Sequence, residues 1–170
     1  MSSLVAKALI FMRQAHASQK RKQGTPYALH PLAVFNILTN EYEGTVSEYM
    51  QVLALLHDTL EMGKTDEAVE HEFGVEVLKG VKILTRQKGE SFKDYATRLG
   101  FASKEIRLVK AADRLHNLRE AILSGDSAWA LDYVRETREC IIPFVDDPWF
   151  LAKLNEANSE IERFRSNSAS

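Results

Sequence analysis

Val52-Leu53-Ala54-Leu55-Leu56-His57-Asp58 is the stretch on which the fold class of this chain turns. Five apolar residues follow one another and then meet an imidazole and a carboxylate. The run is far too short to cross a bilayer. It begins near Ser47, is stopped by Gly63, and is apolar almost all round, which is the pattern of a helix buried at the centre of a domain. Apolar residues recur at helical spacing on both sides of it, and no four-residue stretch shows convincing polar/apolar alternation. The expectation is an all-α fold.

Working outward, Leu4, Ala8, Phe11, Met12 and Ala15 share a face of a first helix over residues 4–22, which Gly24-Thr25-Pro26-Tyr27 breaks. Pro31 opens a second helix at its favoured first position, running through Val34, Ile37 and Leu38. Thr65 caps the next helix, with Asp66 and Glu67 at its positive end. Gly74 separates it from a helix carrying Val77, Leu78, Val81, Ile83 and Leu84. Ser91 and Asp94 form a capping box for a helix closed by Gly100, and Ser103 starts a long helix through Val109, Ala112, Leu115 and Leu118. Residues 127–165 read as two helices broken at Asp147-Pro148. With no repeat or linker, the organisation is a core over residues 1–125, a helical extension over 126–165 packed on it, and a frayed tail at 166–170.

Composition limits the classes of function. In 170 residues, 45% hydrophobic content with a net charge of -2 supports a packed core and excludes disorder as the main state. A pI near 6.2 gives no basic face for bulk nucleic acid. No membrane span and no signal peptide are expected. Cys140 stands alone, so no internal disulfide forms, and a reducing cytoplasm fits. Cys140 itself sits in an apolar segment and is expected to be buried. Trp129, Trp149 and Phe150 are expected to pack the C-terminal helices onto the domain or, in a homodimer, onto a second subunit. A cytoplasmic protein with a small-molecule partner follows.

Three clusters carry chemistry. His57-Asp58 places a carboxylate beside an apolar run, which is costly unless it is paired or bound to metal, and Glu61 follows four residues later on the same expected face. His and carboxylates together suit a divalent transition ion. Asp113-Arg114-Leu115-His116-Asn117 lies in another apolar helix, with Asp113 and Asn117 sharing a face. Gln19-Lys20-Arg21-Lys22-Gln23-Gly24 leads to Thr25-Pro26-Tyr27 and His30-Pro31; Arg offers a planar fork for phosphate, Lys a compact charge, and Tyr27 a ring for stacking. The residue before proline is biased away from α conformation, which would give His30 a definite direction. Each cluster also has a plain structural reading: a helix end, a local polar network, or a solvated terminus.

The order of the clusters is more specific than any one of them. His30-Pro31, His57-Asp58 and Ala112-Asp113-Arg114-Leu115-His116-Asn117 resemble the hydrolase domain of the RelA/SpoT alarmone enzymes, within the HD-domain phosphohydrolases. Gln19 through Gly24, Pro26-Tyr27, Ala54-Leu55-Leu56-His57-Asp58-Thr59, Phe73-Gly74 and Gly80-Val81 extend the resemblance over residues 5–120. It implies an HD-domain helical bundle and, since 170 residues leave little room for synthetase or regulatory domains, a stand-alone small alarmone hydrolase. It further implies that His30, His57, Asp58 and Asp113 bind one divalent metal, usually Mn²⁺. Glu61 would serve catalysis, while Arg21, Lys22 and Asn117 would bind a nucleotide substrate that loses pyrophosphate from its 3′ position. His116 is expected to support the ligands without being one.

One residue departs from the family pattern. Met62 follows Glu61 where the resemblance implies an aspartate. Methionine can neither take nor give a proton, and losing one proton-handling carboxylate removes roughly two to four orders of magnitude in rate. Hydrolysis of another nucleotide, such as an adenine alarmone, and nucleotide binding without turnover are therefore the alternatives to alarmone hydrolysis. An interaction protein with a remnant site ranks last.

Overall fold

The apolar run at the centre of the sequence becomes the end of a helix over Glu48–Leu56, buried from Val52 through Leu56. The computed structural model describes residues 2–21, 24–123 and 127–168, with side chains for all of these except Met62, Ser127 and residues 165–168. Among the described residues the helices, in chain order, are α1 (Ser3–Ala15), α2 (Leu29–Asn36), α3 (Glu48–Leu56), α4 (Asp66–Phe73), α5 (Val75–Leu84), α6 (Phe92–Gly100), α7 (Lys104–Leu123), α8 (Ser127–Glu136) and α9 (Pro148–Ser168). The sole extended pairing among them is one antiparallel bridge between Lys20 and Pro26. The all-α expectation holds.

Local sequence sets most of the helix starts. The side-chain oxygens of Ser47, Thr65 and Ser91 accept from the amides of Met50 (3.2 Å), Ala68 (3.2 Å) and Asp94 (3.1 Å). Each satisfies a donor that the first helical turn leaves without a partner. Asp147 does the same for α9, accepting from Trp149 and Phe150 at 3.1 and 3.2 Å. Gly63 and Gly74 take φ of 80° and 86°, a region costly for other residues, and end α3's chain segment and α4.

Three expectations about the helices need correction. The first helix stops at Ala15 and not near residue 22, because residues 19–21 pair with residues 25–27: the Tyr27 amide donates to the Gln19 carbonyl at 2.9 Å and the Arg21 amide to that of Thr25 at 2.8 Å. His30 is helical despite Pro31, which sits third in α2; in a first turn the missing proline N–H has no helical partner to lose, and the His30 amide bonds the Tyr27 carbonyl at 2.9 Å. α3 proper ends at Leu56, and Glu61 lies on a separate 3₁₀ turn, Leu60–Met62, so His57 and Glu61 do not share one helix face. Of the tail expected to fray at 166–170, residues 166–168 are the helical end of α9, and 169–170 lie outside the described residues.

One hydrophobic cluster runs through all the helices, joining Leu53 and Leu56 of α3 to Leu115 and Leu118 of α7 and to Phe150 and Leu154 of α9, all fully buried. Trp149 and Phe150 pack on Tyr42, with ring centroids 5.6 and 5.0 Å away. Cys140, expected to be buried, is only half-buried. No described helix is long and apolar enough to cross a membrane.

Helix α5 crosses α3 at Gly80. A Cβ there would stand 2.8 and 3.0 Å from the two terminal carbons of Leu53, and closer still to the Tyr49 hydroxyl. Leu53 is fully enclosed and has no room to retreat. Gly80→Val should therefore destabilise the fold by about 1–3 kcal/mol through overpacking, read as a lower urea midpoint; an unchanged midpoint would show that α5 can shift.

Candidate metal centre

Three helices deliver the cluster. α2 carries His30, the turn after α3 carries His57 and Asp58, and α7 carries Asp113. The apolar stripes that pack these helices together also aim the polar residues at one point. His30 Nε2 lies 3.2 Å from His57 Nε2 and 3.1 Å from Asp113 Oδ1. The donor atoms of His30, His57 and Asp113 all fall within 4.8 Å of one another, and all three residues are buried. Asp58 adjoins this triad, its Oδ2 3.5 Å from His30 Nε2 and 3.2 Å from His57 Nε2.

Surrounding groups fix which atoms are free to coordinate. His57 Nδ1 donates to the Ala54 carbonyl at 2.8 Å, which leaves Nε2 with its lone pair turned to the cluster. His30 and His116 meet through their Nδ1 atoms at 2.8 Å. Burial and then the neighbouring His30 lower the His116 pKa to about 4, so His116 is neutral and can accept from His30. His30 Nε2 is thereby freed as well. Two imidazole nitrogens and two carboxylates fit a divalent transition ion in both number and chemistry.

Electrostatics mark the same point. Burial opposes ionisation of Asp113, but Lys110, His30 and His57 overcome it and hold the carboxyl well below its usual range. Lys110 Nζ donates to Asp113 Oδ2 at 2.7 Å. Burial likewise opposes ionisation of Asp58, and His57 and His30 outweigh it. Burial would lower His57, yet the charge of Asp58, with Asp113 behind it, pushes it up to about 9. Without a metal, Lys110 supplies the nearest counter-charge to Asp113, and a proton on His57 supplies it to Asp58.

Residues 8–144 match the HD-domain family. The chain belongs to that family. Within it, the chain is 34% identical over 142 residues to the guanosine-3′,5′-bis(diphosphate) 3′-pyrophosphohydrolase MESH1 of Danio rerio, covering 79% of this chain and 78% of that one. It is 40% identical over 151 residues to a probable GTP pyrophosphokinase of Mycobacterium leprae, covering 83% of this chain and 19% of that one. The chain thus spans about a fifth of the length of such pyrophosphokinases. A solved structure described as "a metazoan ortholog of SpoT hydrolyzes ppGpp and plays a role in starvation responses" superposes with a TM-score of 0.82 at 26% identity, over 97% of both chains.

In this HD-domain protein His30, Asp58 and Asp113 of the cluster line a cleft of about 500 Å³. Arg21, Tyr27, Glu61, Arg86, Lys88 and Lys110 are among the other residues that line it. Sequence reading singled out Arg21, Tyr27, Glu61 and Asn117 but missed Lys110 and the loop leading to α6. Lys110 had one available signal, its position three residues before Asp113 on the same helix. Arg86 and Lys88 had none, since a charged loop reads as a solvated one.

The expected substrate residues are already engaged. Arg21 Nη2 donates to Asn117 Oδ1 at 2.9 Å and pairs with Glu120, while Asn117 Nδ2 donates to Asp113 Oδ1 at 2.7 Å. Lys22 and the Met62 side chain lie outside the described residues. Glu61 lines the cleft and is exposed as a residue; desolvation by the cleft walls, then the Asp58 charge, hold its pKa above the ordinary carboxylate value. His16, unassigned from sequence, is buried with its ring stacked on Tyr27 at 4.8 Å, whereas His71 is solvated.

A metal ion held at this cluster would compete with a proton for His57, and the sign follows from its raised pKa. Metal affinity should rise as pH climbs toward about 9, with about one proton released per ion bound below that value. The His57 contribution to stability of the metal-free protein is complete below 6.5 and is lost as pH rises through about 9. Calorimetry in two buffers of different ionisation enthalpy checks the proton count, and a pH-independent affinity would contradict it.

Proposed function

We propose that this chain removes pyrophosphate from the 3′ position of a guanosine 3′,5′-bis(diphosphate), with one divalent ion, Mn²⁺, held by His30, His57, Asp58 and Asp113. The observation that carries the reading is the convergence of those four side chains beside a cleft that His30, Asp58 and Asp113 line together with Arg21, Arg86, Lys88, Lys110 and Arg114. A substrate rich in phosphate matches such walls, because each cation offsets charge that the two carboxylates alone would repel. Both MESH1 relatives, from Danio rerio and Xenopus tropicalis, bear this activity in their names at 34% identity.

The ion would supply polarisation of a phosphoryl oxygen and a water acidic enough to attack at neutral pH. Everything else falls to the protein. Glu61, with its raised pKa, takes the proton of the attacking water. Arg21 exchanges Glu120 for a substrate phosphate, keeping its planar fork occupied throughout. Asn117, released from Arg21 on one side, stays bonded to Asp113 and presents its carbonyl oxygen to the nucleotide. Lys22, next to Arg21 in the sequence, adds positive charge. Water adds to phosphorus, the bond to the 3′ oxygen breaks, and the products are GDP and pyrophosphate when the substrate is ppGpp.

Purified protein with Mn²⁺ and ppGpp should yield both products on ion exchange, above a metal-free control. A parallel panel containing adenine analogues separates the base preference, and no product from any of them would leave a binding module. Glu61→Gln should lower kcat by roughly 10²–10⁴ while metal content stays constant. Met62→Asp should raise turnover, again at unchanged metal content; equal turnover would show that the missing carboxylate does not limit the reaction.

A further inference from the structure

The Tyr27 ring lines the cleft, and its hydroxyl donates to Asp58 Oδ2 at 2.7 Å. That is the same oxygen that faces His30 Nε2 and His57 Nε2. Building on the metal-site reading, we infer that Tyr27 is a positioning residue that holds Asp58 in the orientation in which it can coordinate.

Asp58 needs such a partner more than Asp113 does. Asp113 is held at both oxygens by neighbours on its own helix, Lys110 at Oδ2 (2.7 Å) and Asn117 at Oδ1 (2.7 Å). Asp58 lies beyond the end of α3, where regular helical packing no longer fixes its side chain. The Tyr27 phenol supplies the missing constraint from 31 residues away. A carboxylate has free rotation about its last bond, and a single directional donor to Oδ2 sets the plane of the group and keeps that oxygen, with a second lone pair, beside the two histidines.

The phenol is itself braced, as a positioning group must be. Its ring stacks on His16 with centroids 4.8 Å apart and an interplanar angle of 22°, and the Arg21 guanidinium lies 5.2 Å from its centroid. His30 meets it edge-on at 5.9 Å. Its amide donates to the Gln19 carbonyl (2.9 Å), while Gln19 also accepts from His16 Nδ1 through its side chain (2.7 Å). Its own carbonyl accepts from the His30 amide (2.9 Å). One fold-back loop therefore sets the ring that orients Asp58 and the backbone that carries His30. The buried His16, which has no part in coordination, gains a purpose as the flat surface behind that ring.

Tyr27→Phe removes only the hydroxyl and keeps the ring, its stacking and the Arg21 contact. Titrating purified, metal-stripped wild type, Tyr27→Phe and Asp58→Ala with Co²⁺ reads affinity and coordination geometry together from the visible absorption bands. Tyr27→Phe should keep the wild-type far-ultraviolet circular dichroism, bind Co²⁺ about 10–100-fold more weakly, and shift the absorption bands. Under limiting Mn²⁺ its kcat for ppGpp should fall while KM stays constant, and excess Mn²⁺ should restore most of the loss. Wild-type affinity and an unchanged spectrum in Tyr27→Phe, alongside weakened binding in Asp58→Ala, would overturn the role of Tyr27 and leave the metal site standing. Failure of the wild type itself to bind Co²⁺ would overturn the metal-site reading and this role with it.

Discussion

Two carboxylates, Asp58 and Asp113, are ionised in a cluster lined by buried residues, and the rest of the structure answers to that constraint. Taking such a group out of water costs several kcal/mol unless charge and hydrogen bonds replace the water. Here Lys110, Asn117 and His30 surround one carboxylate, and His57, His30 and Tyr27 surround the other. Two carboxylates kept ionised beside two imidazole nitrogens make a donor set suited to a divalent cation. Packing alone would be better served by apolar residues of similar volume.

The helices are what make this compensation directional. α2, the end of α3 and α7 are locked by an uninterrupted apolar cluster, so their polar residues cannot relax away from one another. Arg21 then links the centre to the cleft: it bonds Asn117, which bonds Asp113, and it lies against the Tyr27 ring, whose hydroxyl bonds Asp58. Arg21 is therefore two contacts from each carboxylate. The His/Asp cluster and the Arg21 side of the cleft form one connected polar network.

Much of this was legible in the chain. Ser47, Thr65, Ser91 and Asp147 announce their helices because capping is local chemistry, settled within three residues. The order His30, His57-Asp58, Asp113 was readable as a resemblance, and the structure brings those four side chains together. What misled was also local. Basic residues after Ala15 look like a helix end, and only the Gln19–Tyr27 and Arg21–Thr25 backbone bonds turn them into a fold-back loop. A proline after His30 looked like a barrier to helix, but in a first turn its missing N–H has nothing to break.

Sequence by itself determined the all-α class, the helix starts and the identity of the groups able to bind an ion, because periodicity, capping and donor chemistry are properties of neighbouring residues. Tertiary structure alone decided that Lys110 neutralises Asp113, that Tyr27 orients Asp58, and that Arg86, Lys88 and Arg114 face the same cleft. These depend on distances between helices far apart in the chain. Such distances follow from how whole apolar faces pack, a sum over many side chains that no single stretch of residues contains.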